Sequence, residues 1–408
     1  MFQLGQQCDG ESSTPCGWWT DMAIPLKYNR RSLLVRRVSN AMTGCGIALV
    51  VAVFVVIMAM VAGLSRAIQH SGSDDNMIVL ARGSTTETAS SLHLDQFDAL
   101  RFLPTIRRDS SGNPLASPEL AEQILMPGPD GSLDNLAVRG ILPVGFRVHD
   151  QVRMISGHVF TPGLSEIIIG KALVGRYPGC NLGSTLRFGR RSWRVVGVFE
   201  AGGSSFESEV WGDVHSLQED ANRGTVFNSI RLKLAAGADV PALVQRVADD
   251  PRINLQAETE ADYYREQSAV ANQVRALGML VAGIMAFGAI FAAMNTMYAA
   301  VSSRTAEIAT LRAMGFRPRA ILTSFLAESL VLALAAGIVG VLLALPINLF
   351  STSFNAGLTA ATLEFDFRVT FTIVVEALLF AATMGVAGGW LPARRAMRMS
   401  VAAAMRRA

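Results

Sequence analysis

Charge is scarce in this chain of 408 residues: 17% of positions are charged against 50% hydrophobic, and aromatics make up only 7%. A soluble chain of this length buries a large core but rarely averages out so apolar. The excess has to be concentrated in membrane-crossing segments. Few aromatics beside abundant Ala, Val, Leu, Gly and Met suit closely packed membrane helices. Cysteine is sparse too. Cys45 falls inside an apolar run, Cys180 stands alone in the middle of the chain, and the spacing of Cys8 and Cys16 matches no zinc pattern, so there is no disulfide framework to read. His70, His93, His149, His158 and His215 lie far apart, and none sits at metal-ligand spacing. No G-x-S-x-G elbow is present. The string GLSEIIIGKA holds a Gly-Lys pair, but Gly163 and Gly170 are too far apart for a phosphate loop and Ala172 replaces the required Ser or Thr. Lys171 therefore reads as a surface residue after a strand. These absences argue against catalytic residues, a bound metal and ATP hydrolysis by this chain. No cofactor of its own and no nucleic-acid partner are expected.

What the chain has is long uncharged runs. A bilayer core about 30 Å thick needs roughly 20 apolar helical residues, and four segments meet that test. The expected fold class is a membrane protein: four transmembrane α-helices, with a large α+β extracytoplasmic domain inserted between helices 1 and 2. The reading divides the chain into a cytoplasmic N-terminal segment (1–40), a first span (41–64), the outside domain with its stalk (65–274), a second span (275–303), a short cytoplasmic helix (304–319), a third span (320–350), a short outer loop (351–368), a fourth span (369–392) and a cytoplasmic tail (393–408). Orientation follows the basic residues. Lys27, Arg30, Arg31, Arg36 and Arg37 precede the first span. Arg304, Arg312, Arg317 and Arg319 lie between the second and third, and Arg394, Arg395, Arg398, Arg406 and Arg407 follow the fourth. All fall on one side if every span crosses, and that side is the cytoplasm. The first span is too long for a cleaved signal peptide and reads as a signal-anchor. Residues 1–21 are polar and unpatterned, so Met22 competes with Met1 as the start.

In the outside domain, NMIVLA (Asn76–Ala81) reads as a strand and EIIIGKALVGRY as a strand turning into a helix. TLRFGRRSWRVVGVFEA alternates on both sides of Gly189-Arg190, a hairpin signal. NSIRLKL alternates with period two; ADVPALVQRVADD follows, with Asp239 as N-cap and Pro241 in the first turn, and then the strand RINLQAE. This succession suggests a small α+β subdomain joined to a β-richer one around 140–215. A polar helix, roughly Ala257–Arg275, leads into the second span as a stalk.

The most informative stretch is SSRTAEIATLRAMGFRPRAILTSFLAESLVLAL, residues 302–334. Ile308, Leu311 and Met314 recur at helical spacing, Gly315 suits a left-handed cap, and Pro318 opens the next helix. A basic amphipathic helix here either rests on anionic lipid or docks into a cytoplasmic partner. Glu328 and Glu376 are acids inside spans, where charge is expensive. Glu328 is near enough to the cytoplasmic end to pair with Arg304 or Arg319. A proton path would need further acids in series, so interhelical or interfacial hydrogen bonding is expected of both.

EIATLRAMG (Glu307–Gly315), followed by Arg319-Ala320-Ile321-Leu322, resembles the signature of the FtsX/MacB-type ABC transporter permeases. The resemblance includes IPLKYNRRSL before the first span, and EIIIGKAL and RVVGVFEAGGSSFESEVWGD in the outside domain resemble the same family's MacB-like periplasmic core domain. The similarity covers most of the chain from about Met22 onward. It implies an inner-membrane homodimer paired with separate ABC ATPase subunits that bind the ATP, with membrane lipid around it and room for a periplasmic adaptor. It also implies mechanotransmission: ATPase closure pushes the short helix and moves the outside domains through their stalks, with no substrate tunnel through the bilayer. On this reading Arg304, Glu307, Ile308, Leu311, Arg312, Met314, Gly315 and Phe316 couple to the ATPase, and the function is export or extraction of a substrate. The rival reading is an FtsX-like regulator that switches on an outside partner such as a wall hydrolase and carries nothing. A membrane enzyme fails for want of a catalytic constellation.

Overall fold

The computed structural model describes residues 37–128, 133–349, 351–355 and 362–398. The lead-in IPLKYNRRSL, Cys8, Cys16 and the tail from 399 onward lie outside the described residues. The chain begins with α1 (Arg37–Gln69), β1 (Asn76–Ala81), α2 (Leu94–Arg101), β2 (Ala116–Pro127), β3 (Leu133–Ile141), α3 (Gly145–Val148), β4 (Arg153–Gly157) and β5 (Glu166–Gly170). It continues through β6 (Thr185–Phe188), β7 (Arg191–Glu200), β8 (Glu209–Asp213), α4 (Val214–Asp220), β9 (Ser229–Lys233), α5 (Val240–Asp249), β10 (Leu255–Thr259) and α6 (Glu260–Gln267). It closes with α7 (Ala269–Ser303), α8 (Thr305–Ala313), α9 (Pro318–Ala344), β11 (Ser351–Asn355), β12 (Thr362–Asp366) and α10 (Phe371–Met397). Among the described residues, four helices are long and apolar enough to cross a membrane. They form around α1, α7, α9 and α10, and the first precedes a mixed α/β domain.

The chain divides into two compact units. The first comprises Val55–Leu280 with Leu345–Ile373. Its centre is one ten-stranded sheet in the order β10-β1-β9-β2-β3-β8-β5-β7-β4, with β6 on β7. β3 runs parallel to β8 and β5 parallel to β7; the other pairs are antiparallel. The α+β and β-richer parts read from the sequence therefore share a sheet. The strand that joins them is β2, whose residues Ala116–Glu119 pair with β9 while Leu120–Pro127 pair with β3.

Both faces of this sheet are covered, which is why β1 from Met77 and β5 from Ile167 run apolar without alternation. Met77 and Val79 of β1, with Ile167 and Ile169 of β5, enter one core; Ile78, Leu80 and Ile168 enter the other. The second core also takes Leu64, Ala67 and Ile68 from the end of α1, Tyr263 and Tyr264 from α6, and Ala271 from α7. The helices that enter and leave the domain are thus packed on one face of its sheet.

Local chemistry places several elements. α5 starts at Asp239, whose side chain accepts from Ala242 N, with Pro241 in the first turn. Gly189 takes φ +59° in the turn between β6 and β7. One expectation changes. Ala257–Thr259 belong to β10, zipped to β1 over Ala81–Met77, so the stalk begins at Glu260, with Thr259 as a side-chain N-cap. β9 alternates as read, but both its faces are buried: Ile230 and Leu232 enter a core, and Ser229, Arg231 and Lys233 lie under covering carboxylates instead of water.

The second unit comprises Met1–Phe54, Val281–Ala344 and Val374–Ala408. Here small residues let helices approach closely. A Cβ on Gly340 of α9 would lie 2.5 Å from Ala48 O of α1, and one on Gly388 of α10 would lie 2.8 Å from Ala293 Cβ of α7. Thr43 and Thr296 hydroxyls meet at 2.6 Å between α1 and α7, and Phe54 stacks on Phe380 of α10. Ile284, Phe287 and Phe291 of α7 are left exposed, as suits a surface solvated by lipid tails.

Candidate functional site

The short helix α8 hangs between two long ones, and both its ends are built. At its start Arg304 turns its side chain back into the bundle, where Nη1 donates to Glu328 Oε2 of α9 at 3.1 Å. At its end Gly315 has φ +91°. Gly315 N donates to Arg312 O and Phe316 N to Leu311 O, both at 3.1 Å, which closes the last turn as a Schellman motif. Pro318 then opens α9.

The structure divides the residues assigned to this helix. Ile308 is buried with Met297, Val301, Ile321, Phe325, Ala393 and Ala396 of the neighbouring helices, so it anchors α8 from inside. Leu311, Arg312 and Phe316 are half-buried. Glu307, Met314 and Gly315 are exposed, and Thr310 and Arg317 lie on that same open side. The apolar stripe is therefore split: Ile308 faces the chain's own core, and Met314 faces outward. The reason is that α9 and α10 cover one side of a helix too short to turn a whole apolar face away from them. Glu376 of α10 is half-buried, and no hydrogen bond joins it to another described residue.

A second constellation lies in the inserted domain, and sequence reading missed it. Arg139 of β3 is buried and forks Glu209 of β8, with Nε to Oε2 at 2.7 Å and Nη2 to Oε1 at 3.0 Å. It also reaches Glu87 at 3.1 Å and Glu119 of β2 at 3.0 Å. Arg231 of β9 donates to Glu87 at 2.8 Å, to the Tyr264 hydroxyl at 3.2 Å and to Glu260, the first residue of the stalk. His149 Nε2 meets Glu119 Oε1 at 2.8 Å, and Trp211 Nε1 donates to Glu209 at 2.7 Å. Burial pushes the Glu87 carboxyl up, but Arg139 and Arg231 override it and hold it well below the ordinary range. Glu119 is likewise pushed up by burial and brought down by His149 and the two arginines. Both guanidiniums are held charged against burial by these carboxylates.

Glu260 ties this network to the chain entering the domain. Its Oε2 accepts from Asn76 Nδ2 at 2.9 Å and from Ser73 N at 3.3 Å. Ser71, just past α1, shares a 2.6 Å hydroxyl contact with Ser205 and accepts from Ser205 N at 2.9 Å. Gly72 passes so close that a Cβ there would lie 2.7 Å from Glu260 O and 2.8 Å from Ala261 Cα. The segment after α1 and the start of α6 are thus fastened to each other. Among the described residues no group of three His, Cys, Asp or Glu is placed to hold a metal ion.

Comparison with known families finds a match in each part of the chain. The model of the MacB-like periplasmic core domain matches residues 41–250, and that of the FtsX-like permease C-terminal region matches residues 279–401. The chain belongs to the FtsX/MacB-type ABC transporter permeases. It is 27% identical over 97% of its length to the macrolide export ATP-binding/permease protein MacB of Nitrobacter winogradskyi, covering 62% of that protein. It is 25% identical over 97% of its length to the pyoverdine export ATP-binding/permease protein PvdT of Pseudomonas entomophila, covering 61% of that one. The chain thus spans about three fifths of the length of these relatives. The crystal structure of the periplasmic region of MacB from Actinobacillus actinomycetemcomitans is similar over 49% of the chain and 94% of that structure, with 15% identity and a TM-score of 0.37.

In this FtsX/MacB-type permease the match to the FtsX-like region takes in α8 with its Arg304–Glu328 support, and the match to the periplasmic core domain takes in Glu87, Glu119, Arg139 and Glu209. The network had a readable trace. Arg139 in LAVRGIL is a lone charge in an otherwise apolar strand segment, and Arg231 in SIRLK and Glu209 in ESEVWGD are charges set directly against large apolar residues. Such charges are seldom buried unless paired, but their spacing along the chain does not say which pairs with which.

Proposed function

We propose that this permease works in the bacterial inner membrane as a homodimer with ABC ATPase subunits, and that it turns their ATP-driven closure into motion of the inserted domain for export of a substrate. The observation that carries this reading is the fastening of Glu260 and Gly72. The helix entering the domain and the helix leaving it are joined at the domain's base, so displacement of one span is delivered to the sheet instead of being absorbed in a loose linker. α8 is the element we assign to receive the push. It is anchored inward by Ile308 and by the Arg304–Glu328 pair, and it offers Glu307, Met314 and Arg317 outward. Leu311, Arg312 and Phe316 support that surface, and Gly315 sets its end.

The relatives named for macrolide and pyoverdine export support export as the purpose. A periplasmic adaptor would extend the same path outward. The test is affinity purification of the tagged chain from its native membrane, followed by substrate efflux in cells carrying an active or an ATPase-dead partner. Copurification of an ABC subunit with efflux lost in the ATPase-dead strain supports the proposal. Copurification with identical efflux in both strains replaces it with the regulatory reading, and absence of any ATPase in mild detergent overturns the docking role of α8.

A further inference from the structure

Arg66 occupies the last turn of α1, and Arg368 stands just before α10. Both are therefore at the domain-side ends of membrane-crossing helices, where lipid headgroups lie, on the side that bacterial membrane proteins usually leave poor in basic residues near their spans. With Lys171, Ser204, Glu207 and Asp366 they line one cavity of about 550 Å³. Two of these groups are already occupied. Lys171 Nζ lies 3.4 Å from Glu207 and 3.7 Å from Glu200. Glu207 also accepts from Ala201 N at 2.7 Å and Gly203 N at 2.8 Å. Arg66 and Arg368 are exposed, and neither side chain makes a hydrogen bond or ion pair with a described residue. Among the described lining residues only Asp366 is left as an opposing carboxylate. Ser204 is 2% exposed, and its Oγ has no hydrogen-bond partner among the described residues. A buried hydroxyl left unsatisfied in a wall of a cationic cavity asks for a ligand that accepts.

We propose that this cavity binds a phosphate group, either the phosphodiester of an anionic lipid headgroup or a free phosphate. Arg66 and Arg368 supply the fork-shaped donors that match phosphate oxygens, Lys171 adds charge, and Ser204 Oγ donates one hydrogen bond. The site's position at a bilayer surface rests on α1 and α10 being spans, but its anion chemistry does not. A soluble anion therefore tests the chemistry separately.

The experiment is titration of the full chain, stripped of lipid in a mild detergent, with dihexanoyl phosphatidylglycerol or with inorganic phosphate, read by native mass spectrometry and calorimetry. Saturable binding that weakens about tenfold or more in Arg66→Gln/Arg368→Gln, but not in Arg252→Gln, is expected. Lipid binding that phosphate does not displace assigns a headgroup site; phosphate binding that displaces the lipid assigns a site for the free anion. Equal binding by wild type and the double variant, or no binding of either ligand at millimolar concentration, overturns the proposal. Should the double variant fail to purify, Arg66→Lys/Arg368→Lys and Ser204→Ala decide: each is expected to bind more weakly than wild type, and wild-type affinity in both overturns the site.

Discussion

Arg304 and Glu328 are joined across 3.1 Å, with side chains only 16% and 8% exposed, so the residue that starts α8 is bound to the third turn of α9. Removing one partner of such a pair leaves the other charge stranded, whereas replacing both with apolar residues does not. Glu328→Ala is expected to destabilise the protein by about 3 kcal/mol, and Arg304→Met/Glu328→Leu to recover most of that loss. Thermal unfolding in detergent measures it as a double-mutant cycle. Additive losses would show that the pair does not act as a unit.

The split face of α8 separates folding from docking. Met314→Asp places a charge on an exposed position and should leave membrane insertion and thermal stability unchanged while reducing copurification of the ATPase. Ile308→Asp places one among Val301, Ile321 and Phe325 and should lower stability first, by several kcal/mol for a buried unpaired charge. Equal ATPase recovery with Met314→Asp and wild type would remove the outward face from the interface.

The buried network should make the inserted domain sensitive to acid. Glu87 and Glu119 are held below their ordinary value of 4.5 in the fold, so the stability they confer is complete above that pH and drains as pH falls further. Arg139→Met takes away the only guanidinium that Glu209 meets among the described residues and one of the partners of Glu87 and Glu119, which keep Arg231 and His149, and is expected to cost about 3 kcal/mol near neutral pH. The cost should shrink as pH falls, because without Arg139 burial pushes the Glu87 and Glu119 carboxyls up and protonation removes their charge. Unfolding curves followed by tryptophan fluorescence at several pH values test this; a cost independent of pH would mean that packing, not charge, is what Arg139 supplies.

Glu258 of β10 behaves in the opposite sense. Burial, helped by Glu266 and Asp262, pushes it up to about 7. Its contribution is therefore complete below about 4.5 and is lost as pH rises through 7. Glu258→Gln should raise the melting temperature at pH 8 and make little difference at pH 4.5. A variant no more stable than wild type at pH 8 would contradict the shift.

Gly72 tests the fastening at the base of the domain. Gly72→Ala drives a methyl group against the backbone of Glu260 and Ala261 and is expected to cost about 1–3 kcal/mol. If the joint transmits motion, efflux should fall further than protein abundance does, with ATPase copurification intact. Efflux in proportion to abundance would make the joint purely structural.

The four spans, the charge asymmetry between their ends, the Asp239 cap and the Gly315 stop were all legible in the sequence, because each depends on residues within a few positions of one another. Hydropathy over a window and the chemistry of a helix end need no knowledge of the rest of the chain. Tertiary structure decided what those local signals leave open. Arg231 reaches Glu87 across 144 residues of chain and Arg139 reaches Glu209 across 70, so the polar face of β9 became an interior rather than a surface. Ile308 went inward because α9 and α10 return to cover it, and Ala257–Thr259 became strand because β1 lay open to pair with them. Periodicity identifies that a helix or strand has two faces; only the elements that fold back against it determine which of them meets water, lipid or protein.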